Sequence, residues 1–321
     1  MARTHSETHI SIRDVVDRLR LFGELDRNLR EIERAAKVEL LVRDEAVVIS
    51  GDARNVAVAR AALDRLAAAA SCGHQVTEDD VTLAIRSERA GSADAVTAFD
   101  EGWTLATTAR GRPVRPRSGG QSDYVKAARE HTLTLCTGPA GTGKTFLAVV
   151  MAVGAMRAEH VRRIVLSRPA VEAGEKLGFL PGGLAEKVDP YLRPLFDGLS
   201  ELMDPQAVER AIERGQIEVA PLAYMRGRTL AESFIVLDEA QNATVEQMKM
   251  FLTRIGAGSR MIACGDVTQI DLPAGSQSGL VHAARIFQGV EDVAVVNLTD
   301  ADVVRHSLIR RIIAAYAANR S

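Results

Sequence analysis

The chain has 321 residues and a mass of 34.6 kDa, about twice the size of a typical single domain, which favours two domains. Its 40 Lys and Arg residues nearly balance 42 Asp and Glu residues, and the net charge of −2 excludes a chain-wide attraction to nucleic acid or anionic membrane. Three isolated cysteines, an N-terminus without an apolar signal segment and no 18-residue apolar run favour a cytoplasmic protein, neither secreted nor membrane-spanning.

Residues 8–75 alternate strand-like and helix-like apolar patterns. They predict a strand at 10–12, a helix that ends near Gly23, a helix over Asp26–Lys37, a hairpin of Val38–Val42 with Ala46–Ser50, and a long helix over Ala53–Ala70 that Asp52 caps. Thr77 and Asp80 predict one more helix, ending near Ala90. This order indicates a compact α+β domain, which we place at residues 1–90.

Gly, Ser, Thr, Pro and Arg dominate the next segment, residues 91–120, which we predict to be a linker. Residues Arg110–Arg117 contain four arginines and two prolines. A solvated, extended tether is the favoured interpretation. The alternative is a strip of arginines that contacts RNA phosphates.

The rest of the chain, residues 121–321, is the second predicted domain. It contains continuous apolar runs separated by helical patterns. The runs lie at Thr132–Thr137, Arg163–Ser167, Ile217–Ala220, Phe234–Asp238, Arg260–Gly265 and Val293–Leu298. Continuous apolar runs are typical of a parallel sheet that is buried on both faces. We therefore predict an α/β domain with a mostly parallel sheet.

The segment GPAGTGKT at 138–145 matches the phosphate-loop pattern G-x-x-x-x-G-K-[ST] between an apolar strand and an apolar helix. Its backbone N–H groups would surround the phosphates, Lys144 would contact the β- and γ-phosphates, and the Thr145 hydroxyl would ligate Mg²⁺. The predicted nucleotide-binding residues are Gly138, Pro139, Ala140, Gly141, Thr142, Gly143, Lys144, Thr145 and Phe146.

Two carboxylates, Asp238 and Glu239, follow the apolar run FIVL, at the strand end where open α/β sheets bind ligands. Asp238 is predicted to hold Mg²⁺ together with Thr145. Glu239 would polarise a water for attack on the γ-phosphate, a role that hydrolases need and small-molecule kinases generally lack. The alternative is a pair of surface acids at a helix start.

Two glutamines are candidates for reading the nucleotide. Gln269, in the segment CGDVTQID at 264–271, would sense the γ-phosphate and couple its loss to movement of a bound strand. Gln121, upstream of the phosphate loop, would read the adenine edge with its amide and favour ATP over GTP. An incidental glutamine at the end of the linker is the alternative for Gln121.

These motifs carry a resemblance to a known family. GPAGTGKT, the stretch SRPAVEAGEKLGFLPGGLAEKVDPYLRPLFDGL at 167–199, PLAYMRGRTL at 221–230, VLDEAQN at 236–242 and GDVTQIDLP at 265–273 together resemble the PhoH family over about residues 115–320. The resemblance implies a RecA-like ATPase core similar to the first lobe of superfamily 1 helicases. It also implies a link to RNA metabolism and, in some bacteria, to phosphate starvation.

The N-terminal domain is similar to the KH-like domain that precedes this core in many family members. A KH domain clamps RNA with a G-x-x-G loop, whereas this chain has Gly23-Glu-Leu-Asp26. Because an acid would face the phosphate, RNA binding through this loop stays open beside a role in assembly or partner docking.

The stretch Pro169–Pro194 is rich in Gly and Pro, and Arg168, Lys176, Lys187 and Arg193 lie in or beside it. In the helicase-like interpretation, a single strand of RNA crosses the lobe here through salt-sensitive phosphate contacts. The alternative is a structured loop whose bases pair with neighbouring acids.

Only 83 residues follow Asp238, too few for a second helicase lobe that would supply an arginine to the transferred phosphate. We therefore expect the arginine to come in trans, within a homo-oligomeric ring, a hexamer. The candidates are Arg254, Arg305 and Arg310, of which Arg305 is preferred; Arg305 and Arg310 lie on a predicted amphipathic helix over Asp302–Asn319.

The sequence thus predicts a Mg²⁺-dependent ATPase whose hydrolysis remodels or unwinds RNA. The family resemblance implies that it does so as a helper to an rRNA-processing endoribonuclease. One rival is an ATP-dependent scaffold, or a phosphate-starvation-linked ATPase, that assembles a partner complex without unwinding RNA. The near-neutral charge and an aromatic content of 4% favour this rival. A small-molecule kinase is the second rival, against which Glu239 and Gln269 count.

Overall fold

The computed structural model describes residues 5–12, 14–71, 75–90, 104–169 and 184–304. The chain divides into two compact units. One unit comprises Met1–Trp103 with Arg117–Ser122, and the other comprises Thr104–Pro116 with Asp123–Ser321. The domain bounds inferred from the sequence stay a prediction.

The first unit is an antiparallel three-stranded sheet with helices. Its elements are β1 (His5–Ser11), α1 (Val15–Phe22), α2 (Arg27–Ala36), β2 (Glu39–Arg43), β3 (Ala46–Asp52), α3 (Ala53–Ser71) and α4 (Glu78–Ala90). Strand β3 lies between β1 and β2 and pairs antiparallel with both. The α+β class that the sequence predicts for this region is confirmed, while its KH-like identity stays a prediction.

Strand β1 is longer than the apolar triplet at 10–12 that predicts it. It begins at His5, and its polar residues pair with β3 from His5 opposite Asp52 to Ser11 opposite Ala46. The apolar pattern misses these residues because β1 is an edge strand, whose backbone pairing does not require every side chain to be buried.

The core of the first unit combines all of its helices with the sheet. Fully buried members include Leu21, Ile32, Ile49, Leu63 and Leu66. Asp14 caps α1 by accepting the backbone N–H groups of Val16 and Asp17 at 2.7 and 2.9 Å. Local capping and apolar periodicity therefore agree with the tertiary packing in this unit.

The loop Gly23–Asp26 joins α1 to α2. Gly23, Leu25 and Asp26 all have positive φ, at 71°, 53° and 56°. Leu25 is 82% exposed at its tip. RNA binding by this loop stays a prediction, with partner docking as its alternative.

The second unit is an α/β fold. Its strands are β4 (Ala106–Thr107), β5 (Pro113–Val114), β6 (Leu133–Thr137), β7 (Arg163–Arg168), β8 (Ile217–Pro221), β9 (Ser233–Leu237), β10 (Arg260–Gly265) and β11 (Val293–Asn297). Its helices are α5 (Gly119–Glu130), which crosses the division at Ser122, α6 (Lys144–Arg157), α7 (Leu184–Leu202), α8 (Pro205–Glu213), α9 (Val245–Leu252) and α10 (Gly279–Ile286).

Six strands form one sheet in the order β11-β6-β10-β9-β7-β8, and every neighbouring pair is parallel. All six apolar runs predicted from the sequence become strands, with ends that differ by at most one residue. The α/β class with a parallel sheet is therefore confirmed. Because the strands are parallel, the loops after β6, β10, β9 and β7 lie side by side at one edge.

Helices cover both faces of this sheet. Helices α9 and α10 pack over residues such as Leu135, Ile235 and Met261. Alternate residues of a strand face opposite sides, so Ile262 and Cys264 face the layer of α6, which contacts β7, β9 and β10.

Among the described helices, none combines the length and apolar character needed to cross a membrane.

Residues 104–116 are folded, and the expectation of an extended tether is wrong for them. Strands β4 and β5 form a hairpin in which Leu105 N–H donates to Val114 O at 3.0 Å. Arg157 of α6 donates to Thr107 O at 3.0 Å, and the backbone of Gly154 approaches Leu105 O so closely that a Cβ would lie 2.4 Å away. The composition missed this because each strand of the hairpin has only two residues and because its docking on α6 depends on residues about 50 positions away in the chain.

Candidate active site

The phosphate loop joins β6 to α6, and Lys144 is the first residue of α6. Lys144 is 8% exposed, and its Nζ donates to Gly138 O at 2.6 Å and to Pro139 O at 2.9 Å. The Thr142 hydroxyl donates to Pro139 O at 2.8 Å. The lysine charge is therefore held inside the loop by the loop's own carbonyls.

The loop packs closely against the segment that follows β11. A Cβ on Gly138 would lie 2.7 Å from Leu298 Cβ and 2.8 Å from Leu298 O, so a side chain does not fit at this position. Val304 N–H donates to Gly141 O at 3.0 Å. The close contact with Leu298 is therefore a reason for glycine at position 138, apart from any role in phosphate binding.

Thr145 and Asp238 meet across the sheet edge. The Thr145 hydroxyl donates to Asp238 Oδ1 at 2.5 Å, and Asp238 is 4% exposed. Burial raises the pKa of Asp238, while the hydrogen bond from Thr145 and the charge of Arg168 act in the opposite direction. A hydroxyl and a carboxylate in contact are the hard oxygen ligands that Mg²⁺ prefers, so these residues fit that ion.

A Mg²⁺ ion at this site would depend on the nucleotide for further ligands. Among the described residues, no three His, Cys, Asp or Glu side chains cluster in a way that would hold a metal ion. Mg²⁺ in nucleotide sites is commonly bound through one or two protein groups plus phosphates and waters, which is compatible with this arrangement.

Glu239 has a strained backbone and two side-chain partners. Its φ is 50°, in the left-handed region that costs a non-glycine residue about 1 kcal/mol or more. Oε2 accepts a hydrogen bond from Gln241 Nε2 at 2.5 Å, and Oε1 lies 3.6 Å from Arg168 Nη2. The surrounding structure therefore sets the orientation of this carboxylate.

Gln241 is fully buried and connects the loops after β9 and β10. Its Oε1 accepts the backbone N–H of Asp266 at 3.1 Å, and its Nε2 also donates to Gln269 O at 3.1 Å. A Cβ on Gly265 would lie 2.2 Å from Gln241 Oε1, so Gly265 provides the room for this amide. Sequence reasoning missed Gln241, although its place two residues after Glu239 was a usable signal.

Asp266 continues the network to the phosphate loop. Its Oδ2 accepts the Ala140 N–H at 2.9 Å and Gln269 Nε2 at 2.8 Å, while Oδ1 accepts the N–H and hydroxyl of Thr268. Burial alone would raise the pKa of Asp266, but the hydrogen bonds from Thr268 and Ala140 hold it below its ordinary value. Gln269 is thus tied to a carboxylate that contacts the loop.

Buried groups with little reactivity lie next to Lys144 and Asp238. The Tyr124 hydroxyl donates to Lys144 O at 3.3 Å, and Cys264 Sγ lies 3.8 Å from Asp238 Oδ1. Cys264 pairs in register with Cys136 on β6, and burial raises the pKa of the Cys136 thiol to about 12. Burial also raises the pKa of the Tyr124 hydroxyl and of the Cys264 thiol, so these groups remain protonated at neutral pH.

The remaining residues that the sequence assigns to the site are Gln121 and three candidate arginines. Gln121 is 3% exposed, and its Oε1 accepts the Arg117 N–H at 2.6 Å, so adenine reading by this amide stays a prediction. Arg254 donates to Met250 O and Arg228 O at 3.0 and 2.9 Å, contacts that hold the end of α9. Arg305 and Arg310 lie outside the described residues.

The comparison with known families decides the identity of this chain. The family model described as PhoH-like protein matches residues 113–317. This range contains the phosphate loop and the loops that follow β9 and β10. The chain belongs to the PhoH family. This confirms the resemblance inferred from the sequence, and its extent agrees with the predicted range within a few residues.

Proteins of the PhoH family from several bacteria are similar to most of this chain. A PhoH-like protein of Mycobacterium leprae is 50% identical over 302 residues, covering 92% of this chain and 84% of that protein. A PhoH-like protein of Bacillus subtilis is 47% identical over 298 residues and 93% of each chain. Protein PhoH of Escherichia coli K12 is 44% identical over 207 residues, or 64% of this chain and 58% of that protein.

One solved structure, of an Aeropyrum pernix protein of unknown function, was also matched. It covers 27% of this chain and 48% of its own, with 22% identity and a TM-score of 0.23. A TM-score this low supports no conclusion about fold or function.

Proposed function

We propose that this PhoH-family protein is a Mg²⁺-dependent ATPase. The contact that carries the proposal is the 2.5 Å hydrogen bond between Thr145 and Asp238, with Lys144 in the adjoining loop. A lysine, a hydroxyl and a carboxylate in this arrangement supply the groups that bind a triphosphate and its metal ion. Lys144, Glu239 and Gln269 are the residues to which we assign roles in turnover.

The reaction is the transfer of the γ-phosphoryl group to water. The water oxygen attacks the γ-phosphorus, the bond to the β–γ bridging oxygen breaks, and Glu239 accepts the proton that the water loses. Lys144 neutralises charge on the β- and γ-phosphates, and Gln269 responds to the γ-phosphate. Mg²⁺ held by Thr145 and Asp238 would neutralise negative charge on the phosphate oxygens.

Phosphate release from ATP, measured for the parent and for Glu239→Gln, tests this mechanism. The variant keeps the size and polarity of residue 239 but cannot accept the proton, so it should bind a fluorescent ATP analogue normally and release phosphate at a rate about 100-fold lower, or lower still. Glu246→Gln, on the first turn of α9, is the matched control. If Glu239→Gln releases phosphate as fast as the parent, the role assigned to Glu239 is refuted.

We propose further that the protein binds single-stranded RNA and that hydrolysis drives remodelling or unwinding of RNA, in partnership with an rRNA-processing endoribonuclease. Family membership and the arginine that ends β7, next to Glu239, support an anionic polymer as the partner. ATPase rates with and without poly(U) at low salt test this, because phosphate contacts weaken as salt rises. Stimulation at low salt that disappears at high salt is the expected result.

An ATP-dependent scaffold, including one linked to phosphate starvation, is the second candidate. The net charge of −2 and the aromatic content of 4% favour it, since an RNA reader commonly displays basic and aromatic surfaces. If the protein hydrolyses ATP but poly(U) neither binds nor changes the rate, the scaffold becomes the better assignment.

Release of phosphate without a phosphorylated acceptor would exclude the small-molecule kinase.

We propose that the active assembly is a homo-oligomeric ring, a hexamer, in which Arg305 of one copy completes the site of the next. Of the three candidate arginines, Arg254 donates to Met250 O and Arg228 O and holds the end of α9, which supports one of the other two candidates for this role. Mass in solution with and without a non-hydrolysable ATP analogue tests the ring. A monomer under both conditions would contradict it.

A further inference from the structure

We propose that Arg168 holds Glu239 in a restrained position and that a phosphate of bound single-stranded RNA draws Arg168 away and releases Glu239. Arg168 is thus a positioning residue that makes ATP turnover depend on RNA. This inference rests on the proposed ATPase and RNA functions.

The backbone brings the two side chains together. Strand β7 pairs in parallel with β9, and Asp238 N–H donates to Ser167 O at 2.9 Å just beyond the paired residues. Arg168 therefore lies beside Glu239, with Nη2 3.6 Å from Oε1. The pair is partly accessible, because the side chains of Arg168 and Glu239 are 22% and 36% exposed.

Both oxygens of Glu239 are engaged in this arrangement. Oε2 accepts the hydrogen bond from Gln241, and Oε1 faces the guanidinium of Arg168. A carboxylate that activates water must offer the water an oxygen as acceptor. Removing the guanidinium from Oε1 would leave one oxygen available while Gln241 keeps the carboxylate in place.

The strand order places Arg168 on the side of Glu239 away from the phosphate loop. Strand β7 is separated from β6 by β10 and β9, a distance of about 14 Å at ordinary strand spacing. Thr145 contacts Asp238 from the opposite side. An anion that attracts Arg168 without crossing Glu239 therefore approaches from outside the nucleotide site, which favours a phosphodiester of RNA over the γ-phosphate.

A phosphodiester competes well for this guanidinium. Arginine forms charge-assisted, often bidentate hydrogen bonds with phosphate oxygens, and these are stronger than a single contact at 3.6 Å. The ion pair with Glu239 is partly exposed, and pairs of this kind are weak enough to exchange partners. The balance between the two anions can thus be shifted by RNA binding.

Steady-state phosphate release by the full chain, with and without poly(U) at low salt, tests the proposal on Arg168→Ala. The expected result is a rise in basal kcat of about two- to fivefold, corresponding to loss of a partly exposed ion pair, with an unchanged KM for ATP and no further stimulation by poly(U). Arg168→Gln should behave in the same way, and Arg168→Lys should retain most of the stimulation.

Arg162→Ala is the matched control. Arg162 precedes β7 and pairs with Glu232, with Nε 3.2 Å from Oε1, at the opposite end of the strand from Glu239. Its removal should leave basal kcat and the response to poly(U) as in the parent. The control separates a specific effect at Glu239 from general loss of an ion pair at β7.

The outcomes distinguish this proposal from the function on which it rests. A basal kcat that is unchanged or lower in both neutral variants overturns the restraint, as does stimulation by poly(U) that persists in both. A higher KM for ATP with intact stimulation assigns the guanidinium to the nucleotide and also overturns it. If the parent hydrolyses ATP without any response to poly(U), the RNA function itself fails, and a parent without hydrolysis refutes the ATPase.

Discussion

The side-chain amide of Gln241 joins Glu239 to Asp266: Nε2 lies 2.5 Å from Glu239 Oε2, and Oε1 accepts the Asp266 N–H at 3.1 Å. Asp266 in turn accepts the Ala140 N–H of the phosphate loop at 2.9 Å. One buried amide therefore connects the carboxylate that we assign to water activation with the loop that we assign to phosphate binding.

Replacing Gln241 with Met should lower kcat about tenfold without changing the KM for ATP, because a lost hydrogen bond to a charged group costs about 1.5 kcal/mol or more. Met keeps the volume but cannot orient Glu239. Steady-state ATPase kinetics measure the effect, and Gln247→Met, which removes the amide of the capping box on α9, is the control. A fall confined to thermal stability, with kcat intact, would argue against this role for Gln241.

Replacing Lys144 with Ala should abolish measurable turnover while the fold persists. The variant removes the charge that neutralises the phosphates and also the two hydrogen bonds to Gly138 O and Pro139 O. Phosphate release and the circular dichroism melting curve test both parts. The control is Lys126→Ala, which replaces an exposed lysine on α5 and should hydrolyse ATP like the parent. If Lys144→Ala hydrolyses ATP at a comparable rate, the assignment of the phosphate loop as the ATP site is wrong.

Replacing Thr145 with Ala should raise the Mg²⁺ concentration for half-maximal ATPase activity by about tenfold or more, whereas Thr145→Ser should stay near the parent. The reason is that Ser keeps the hydroxyl that contacts Asp238 and Ala does not. Magnesium titrations at saturating ATP measure the change. Equal Mg²⁺ dependence in the Ala and Ser variants would show that this hydroxyl is not a ligand.

The Glu218–Arg228 pair should make the stability of the second unit pH-dependent. Arg228 donates to both oxygens of Glu218, at 2.5 and 2.7 Å, and this hydrogen bonding lowers the pKa of Glu218 from its ordinary value of 4.5. Stabilisation by a group with a lowered folded pKa is present above its unfolded pKa and is lost as the pH falls through the folded pKa.

Glu218→Gln should therefore lower the free energy of unfolding by about 0.5–1 kcal/mol at pH 7, the range for a partly exposed pair. The difference from the parent should shrink as the pH falls below about 4.5. Urea denaturation across this pH range measures it, with the exposed Glu213→Gln as the control. A difference that is constant with pH would exclude the ion pair as its source.

The local sequence was sufficient for the six strands of the parallel sheet and for the position of the phosphate loop. A strand that is buried on both faces needs a continuous apolar run, and GPAGTGKT between such a run and an apolar helix leaves few other conformations. The edge where Asp238, Glu239 and Gln269 meet also follows, because parallel strands bring their carboxyl ends together. These inferences depend on neighbours in the chain and on general rules of sheets.

Only the tertiary structure decided how the loops at that edge contact one another. The hydrogen bond between Ala140 and Asp266 joins residues 126 apart, and that between Gln241 and Asp266 joins residues 25 apart. The pairing of Arg168 with Glu239 and the docking of residues 104–116 on α6 depend in the same way on residues that are distant in the chain. Periodicity and motifs report which residues share a face or a turn, whereas the partner of a polar side chain is determined by the packing of elements that are far apart in sequence.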